Sequence, residues 1–145
     1  MPVEVSVADV VTDDIVQEFA GLIPQLSTSN PPPSAEALAA LVAHEACHLL
    51  LARDTGSGNI VGSLTLVVFP IPTGVRAWIE DVVVDGGARG SGAGAALSTA
   101  ALDLAATLGA TTVELTSRPS REAANRLYQR LGFVPRDTNV YRYSL

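Results

Sequence analysis

The chain has no lysine: all nine of its basic residues are arginines. That alone excludes a P-loop, whose phosphate cradle needs a lysine beside the nucleotide's terminal phosphates. The arginine-only pattern accompanies many Ala, Gly and Val residues and reads as part of a compositional bias. Cysteine occurs once, at Cys47, so no disulfide can close within the chain, and a cytoplasmic setting is expected. Basic charge is in deficit, with a net charge of −6. General nucleic-acid binding needs a basic surface and is not expected, whereas a cationic or amine substrate is compatible. No apolar run approaches the ~20 residues a membrane span needs. The start, "MPVEVSVADV", lacks the basic-then-apolar pattern of a signal peptide, so no membrane partner is expected either.

Histidine occurs only twice, at His44 and His48, but in a suggestive spacing. His44-Glu45-Ala46-Cys47-His48 reads as H-E-x-x-H, which in zinc hydrolases places two imidazoles on one helical face with a glutamate base. A third ligand should follow, and "LLLARD" supplies none before Asp54. The apolar pattern also changes from helical to extended inside the motif, so no metal site is expected. His44 is read as a helix-end group facing the negative pole of the helix dipole. Cys47 and His48 would point to opposite faces of a strand, which leaves the thiol without an activating base; a small buried thiol is expected.

Length suits one domain, residues 1–145, with a core of its own. "VEVSVA" alternates as a strand does. Thr12 or Asp13 can cap a helix whose Ile15, Phe19, Leu22, Ile23 and Leu26 share a face. After the proline-rich "STSNPPPSA", a second helix is predicted from Ser34 to about Ala46. Strands follow at "HLLLARD", "IVGSLTLVVF" and "VRAWIEDVVVD", separated by turn residues. A helix is predicted from Gly92 to Leu108 with Gly109 ending it, then a strand at "TTVELTS". A last helix starts at Ser120 and stops at Gly132, and "NVYRYSL" closes as a strand. The predicted order is βααβββαβαββ, an α/β fold without repeats.

The most informative segment is "WIEDVVVDGGARGSGAGAAL", Trp78–Leu97, where a strand runs through a glycine loop into a helix. A helix start exposes unpaired N–H groups and partial positive charge, a natural seat for phosphate. Gly90, Gly92 and Gly94 would let a diphosphate approach the backbone, and Arg89 adds a charged contact. A purely structural glycine loop needs neither the alternation nor the arginine. A dinucleotide fingerprint fits "GSGAGA" formally, with Glu114 at the distance of a ribose-binding acid. That motif's first glycine should follow the strand at once, and too little chain remains for a second nucleotide half.

Arg89-Gly90-Ser91-Gly92-Ala93-Gly94 resembles the R/Q-x-x-G-x-G/A motif of the GNAT superfamily of acyl-CoA-dependent N-acyltransferases. "REAANRLYQRLGF", Arg121–Phe133, is similar to that family's second hallmark, an asparagine and a tyrosine on a helix ending in Leu-Gly-Phe. The resemblance covers nearly the whole chain. It implies a single-domain GNAT fold, a mixed central sheet splayed between strands 4 and 5 with acetyl-CoA in the wedge. It implies acetyl transfer to a primary amine, of a small molecule or peptide, by direct attack and without a metal. Arg89, Gly90, Ser91, Gly92, Ala93 and Gly94 would hold the diphosphate, and Val82, Val83 and Val84 would lie beside the pantetheine. A backbone N–H around Val83 would polarise the thioester carbonyl. Tyr128 matches the family's proton donor to the departing thiolate, Asn125 a cofactor-contacting position, and Ser117 is a weaker cofactor contact. Glu80 or Asp81, on opposite faces of the fourth strand, would serve as base. Glu80 is favoured because it shares parity with Trp78, Val82 and Val84. "IEDVVV" is similar to the corresponding strand of glucosamine-6-phosphate N-acetyltransferases, where an acidic pair lies near the substrate. Arg118 and Arg121 would bind an acidic group or stand as surface charges. By family habit a homodimer is expected, and the acceptor would be shaped by "STSNPPPSA" and "FPIPTG". The alternative is a CoA-binding sensor domain that has lost turnover.

Overall fold

The alternating apolar stretches pair side by side into one sheet. Its strands are β1 (Val3–Val7), β2 (Cys47–Asp54), β3 (Ile60–Ile71), β4 (Gly74–Val84) and β5 (Thr112–Glu114), in that spatial order. The first three pairings are antiparallel and β4–β5 is parallel. Parallel neighbours need a crossover, and α3 (Ala93–Thr107) supplies it. The computed structural model describes residues 1–145 and divides them into two compact units, Met1–Leu115 and Thr116–Leu145.

In the first unit the strand alternation sorts the core onto two faces. Leu49, Leu51 and Val83 pack with Ile15, Phe19 and Leu22 of α1 (Asp13–Leu26) and Leu38 of α2 (Ala35–Ala43). The other face carries Leu50, Leu64, Leu66 and Ile79, linked by ladder pairs Leu50–Leu64 and Leu66–Ile79. Helix α3 covers that face with Leu97, Ser98, Ala101 and Ala105. The approach is close at Gly62, where a Cβ would stand 3.2 Å from Leu97 Cδ1 and 3.1 Å from the Val83 carbonyl oxygen. A residue larger than glycine there would push helix and strand apart.

Local chemistry sets the helix ends. Ser34 caps α2, its Oγ accepting from the Ala37 N–H at 3.1 Å. Thr12 holds the N-cap position of α1, but its hydroxyl donates to the Asp14 carboxylate instead of capping. Helix α2 ends at Ala43, three residues short of the prediction. His44 turns extended, and its Nδ1 accepts from the Ala46 N–H at 3.1 Å. His48 lies in β2, so the two imidazoles of H-E-x-x-H do not share a helical face. Cys47 is half-buried rather than enclosed. Its ladder partner is Val67 while that of His48 is Leu66, which puts the two side chains on opposite faces.

The second unit is built around α4 (Glu122–Arg130), two residues later in its start than predicted. Gly132, at φ 103°, turns the chain after it. Two sequence expectations fail nearby. The "TTVELTS" strand shrinks to Thr112–Glu114, so Ser117 lies outside any strand. "NVYRYSL" forms no ladder, and Val140, Tyr141, Tyr143 and Leu145 are exposed. Alternation describes the faces of a strand, but only a hydrogen-bonding neighbour makes one. The observed order is therefore βααβββαβα, with no strand after α4. No helix is long and apolar enough to cross a membrane.

Candidate active site

The acidic pair sits at an irregularity in β4. Thr65 pairs with Glu80 and Ser63 with Val83, so Asp81 and Val82 stand opposite the single residue Leu64. This is a β-bulge, and Asp81 takes the left-handed conformation, φ 50°, that makes it. The bulge overturns the parity expected from sequence. Glu80 keeps the side of Trp78 but no longer shares it with Val84, and both Glu80 and Asp81 are exposed. Beyond the bulge the alternation is reset. Val83, opposite Ser63, joins Glu80 and Trp78 on the side of α1 and α2, and Val84, opposite Gly62, faces α3.

The bulge follows the end of the β4–β5 ladder. Arg76, Ala77 and Trp78 pair with Thr112, Val113 and Glu114, and there the pairing stops. Ile79–Val84 thus border β3 on one edge and have no β5 partner on the other. A bulge increases local twist, and this one begins three residues past Trp78, where the β4–β5 ladder ends. An unpaired strand edge of this kind can take an extended ligand through main-chain hydrogen bonds.

That edge leads directly into the glycine loop. Asp85 opens a single 3₁₀ turn, Gly86–Ala88, by accepting the Gly87 N–H on Oδ2 at 3.0 Å. Gly90 and Gly92 have φ of 81° and 85°, where side chains strain the backbone, and a Cβ on either would meet nothing within 4 Å. Their role is conformational, with open space above them. Gly92 is the N-cap of α3 and brings no side chain to cap it. The Ser91 hydroxyl accepts from the Ala93 N–H at 3.3 Å, and the first main-chain bond of the helix runs from Ala96 to Gly92. The Gly94 and Ala95 N–H groups are left pointing out of the helix start. Exposed Arg89 stands one residue ahead of this turn. Uncapped amides, a positive dipole end and an approachable backbone fit a diphosphate group.

The other predicted residues belong to the second unit. Tyr128 is buried on α4, and its ring meets that of Phe133 edge-on at 5.7 Å. Burial pushes its phenol pKa above the usual value, opposed in part by the Arg121 charge. The hydroxyl is thus held protonated, as a proton donor requires. Half-buried Asn125 donates through Nδ2 to the Arg118 carbonyl at 2.9 Å. It pins the segment before α4 and keeps its own carbonyl oxygen for another donor. The Ser117 Oγ is buried without a hydrogen-bond partner. Arg118 and Arg121 are exposed.

Sequence reasoning missed Gln25, at the end of α1, whose amide bonds to Asp85 and Gly86. Nothing local marks a helix-end glutamine as a partner of a loop sixty residues away. Asp85 carried a legible signal, since an aspartate before two glycines favours an Asx turn.

A sequence model described as "Acetyltransferase (GNAT) family" matches residues 14–133. Glucosamine 6-phosphate N-acetyltransferase 1 of Oryza sativa subsp. japonica is 33% identical over 138 residues, 90% of this chain and 81% of that protein. Mycothiol acetyltransferase of Beutenbergia cavernae is 38% identical over 87 residues, 60% of this chain but only 28% of that longer protein. Among solved structures, an acetyltransferase of Trypanosoma brucei superposes with a TM-score of 0.81 at 27% identity, covering 99% of this chain and 100% of its own.

Proposed function

The chain belongs to the acetyltransferase (GNAT) family, and from that premise we propose that it moves the acetyl group of acetyl-CoA to a primary amine by direct attack, with residues 1–145 acting as one catalytic domain. The observation that carries this reading is the uncapped, glycine-led start of α3, reached directly from the unpaired edge of β4. Bound acetyl-CoA supplies the activated thioester; the chain supplies grip, alignment and proton transfer. Gly94 and Ala95 offer free amides to the diphosphate, with Arg89, Gly90, Ser91, Gly92 and Ala93 shaping and charging the same turn. Val82, Val83 and Val84 align the pantetheine along their edge, and an N–H near Val83 polarises the acyl carbonyl. Glu80, exposed at the bulge, takes the proton an attacking ammonium must lose, directly or through water. Tyr128, kept protonated by burial, gives a proton to the departing thiolate. Asn125 and Ser117 complete the cofactor contacts.

The acceptor follows from the relatives only as a class, an amine, and glucosamine 6-phosphate heads the compounds to be tried. The proposed setting is the cytoplasm and the proposed assembly a homodimer, which sedimentation of the purified protein checks. Calorimetry with acetyl-CoA should give heat on the wild type, and Gly92→Val should weaken the affinity at least tenfold. Thiol release in the presence of an amine panel should then identify the acceptor. Binding of CoA without thiol release from any amine, amino sugar or peptide would instead make the protein a sensor.

A further inference from the structure

Gln25 has no place in the proposed chemistry, yet every hydrogen-bonding group of its amide is committed. Nε2 donates to the Gly21 carbonyl at 3.1 Å and to the Asp85 Oδ1 at 2.8 Å, and Oε1 accepts from the Gly86 N–H at 2.8 Å. Asp85 is committed as well. Its main-chain N–H donates to the Val61 carbonyl at 2.8 Å, and its Oδ2 accepts from the Gly87 N–H at 3.0 Å. Its main-chain carbonyl accepts from the Ala88 N–H at 2.9 Å. Gly87 makes room for this arrangement, since a Cβ there would crowd the Asp85 Oδ2 at 3.1 Å. The last turn of α1 is in this way tied to the first residue of the turn that leads into Arg89–Gly94.

We infer that Gln25 is a positioning residue for the cofactor loop: by clamping Asp85 and Gly86 it sets the direction in which the Gly90–Gly94 backbone leaves β4. The inference rests on the proposed function, because it assigns the clamp's effect to CoA affinity. The chemistry of position 25 is narrow. The side chain must accept from the Gly86 N–H and donate to a carboxylate at once, and an amide does both. A carboxylate of the same length accepts from Gly86 but faces Asp85 with like charge at hydrogen-bond distance. The clamp touches neither the acetyl group nor the acceptor amine in the proposed reading, so its loss should appear in cofactor affinity and not in the chemical step.

The test is a double-mutant cycle on the full chain with calorimetric CoA affinity and steady-state kinetics. Gln25→Glu should raise the Kd for CoA and the KM for acetyl-CoA about tenfold, with kcat at saturation changed less than twofold and an unfolding midpoint near that of the wild type. Asp85→Asn alone should weaken binding because its amide faces the Gln25 amide donor or abandons the Gly87 N–H. Gln25→Glu combined with Asp85→Asn rebuilds the clamp with its polarity reversed: the amide introduced at position 85 donates to the carboxylate introduced at position 25 and still accepts from the Gly87 N–H. This double variant should return to within about threefold of wild-type affinity. Unchanged affinity in Gln25→Glu overturns the inference. So does a double variant as weak as the sum of its parts, or a loss confined to kcat. A wild type that gives no heat with CoA overturns the proposed function itself, a result separable from the others because it precedes any substitution.

Discussion

At the residue scale two side chains divide the proposed proton traffic, and their surroundings differ. Tyr128 is enclosed, and Glu80 is open to water. Tyr128→Phe removes only an oxygen and keeps the edge-on contact with Phe133, so the unfolding midpoint should hold within a few degrees. Turnover should fall about 10²-fold, the usual worth of one positioned acid, with the KM for acetyl-CoA little changed. Steady-state kinetics beside a thermal melt separates the two effects. Glu80→Gln should depress turnover most at low pH, where an amine of pKa near 10 is almost fully protonated and most needs a base. A pH–rate profile that keeps its wild-type shape would remove Glu80 from the mechanism.

At the element scale the decisive feature is the bulge in β4. One inserted residue resets the alternation beside two exposed carboxylates, in a stretch, Ile79–Val84, that has no β5 partner. Its geometry depends on Asp81 at φ 50°, a conformation that aspartate tolerates and β-branched residues do not. Asp81→Val should therefore lower stability by about 1–3 kcal/mol, whereas Asp81→Gly should leave it level or slightly higher. Urea denaturation of the pair reads the difference directly. If valine is accepted without cost, the bulge is not held by this residue. The same element shows why the parity reading failed: period-two alternation holds only while the ladder is regular, and no residue in "IEDVVV" announces the extra one.

At the scale of the whole molecule, titration brackets the pH range over which the fold holds its full stability. Asp14 is held below the usual carboxylate range by the Thr12 hydroxyl and then by Arg53, and Asp54 by the Ser57 hydroxyl and the Gly56 N–H. Folded pKa values lie below unfolded ones, so their contribution is present above about pH 4 and is lost as the pH falls through the folded values. Tyr128 works in the opposite sense. Its raised pKa leaves stability intact below about pH 10 and removes it as the pH climbs further. Asp14 is exposed and Asp54 only half-buried, so water screens both and the acid limb should be shallow. Unfolding midpoints across the pH range should show a plateau between these limits, and Tyr128→Phe should flatten the alkaline edge alone. A sloping profile near neutrality would contradict the assignment.

The order of elements through α4, the start of α2 at Ser34, the end of α3 before Gly109, and the glycine-led helix start were all determined by local patterning. Caps, turns and periodicity act within a few residues and can be read along the chain. Tertiary structure alone decided what depends on a distant partner. "NVYRYSL" alternates yet finds no ladder, Ser117 falls outside a strand because β5 stops at Glu114, and Gln25 gains meaning only beside Asp85. A hydrogen bond or a strand pairing has two ends, and the sequence near one end does not specify the other.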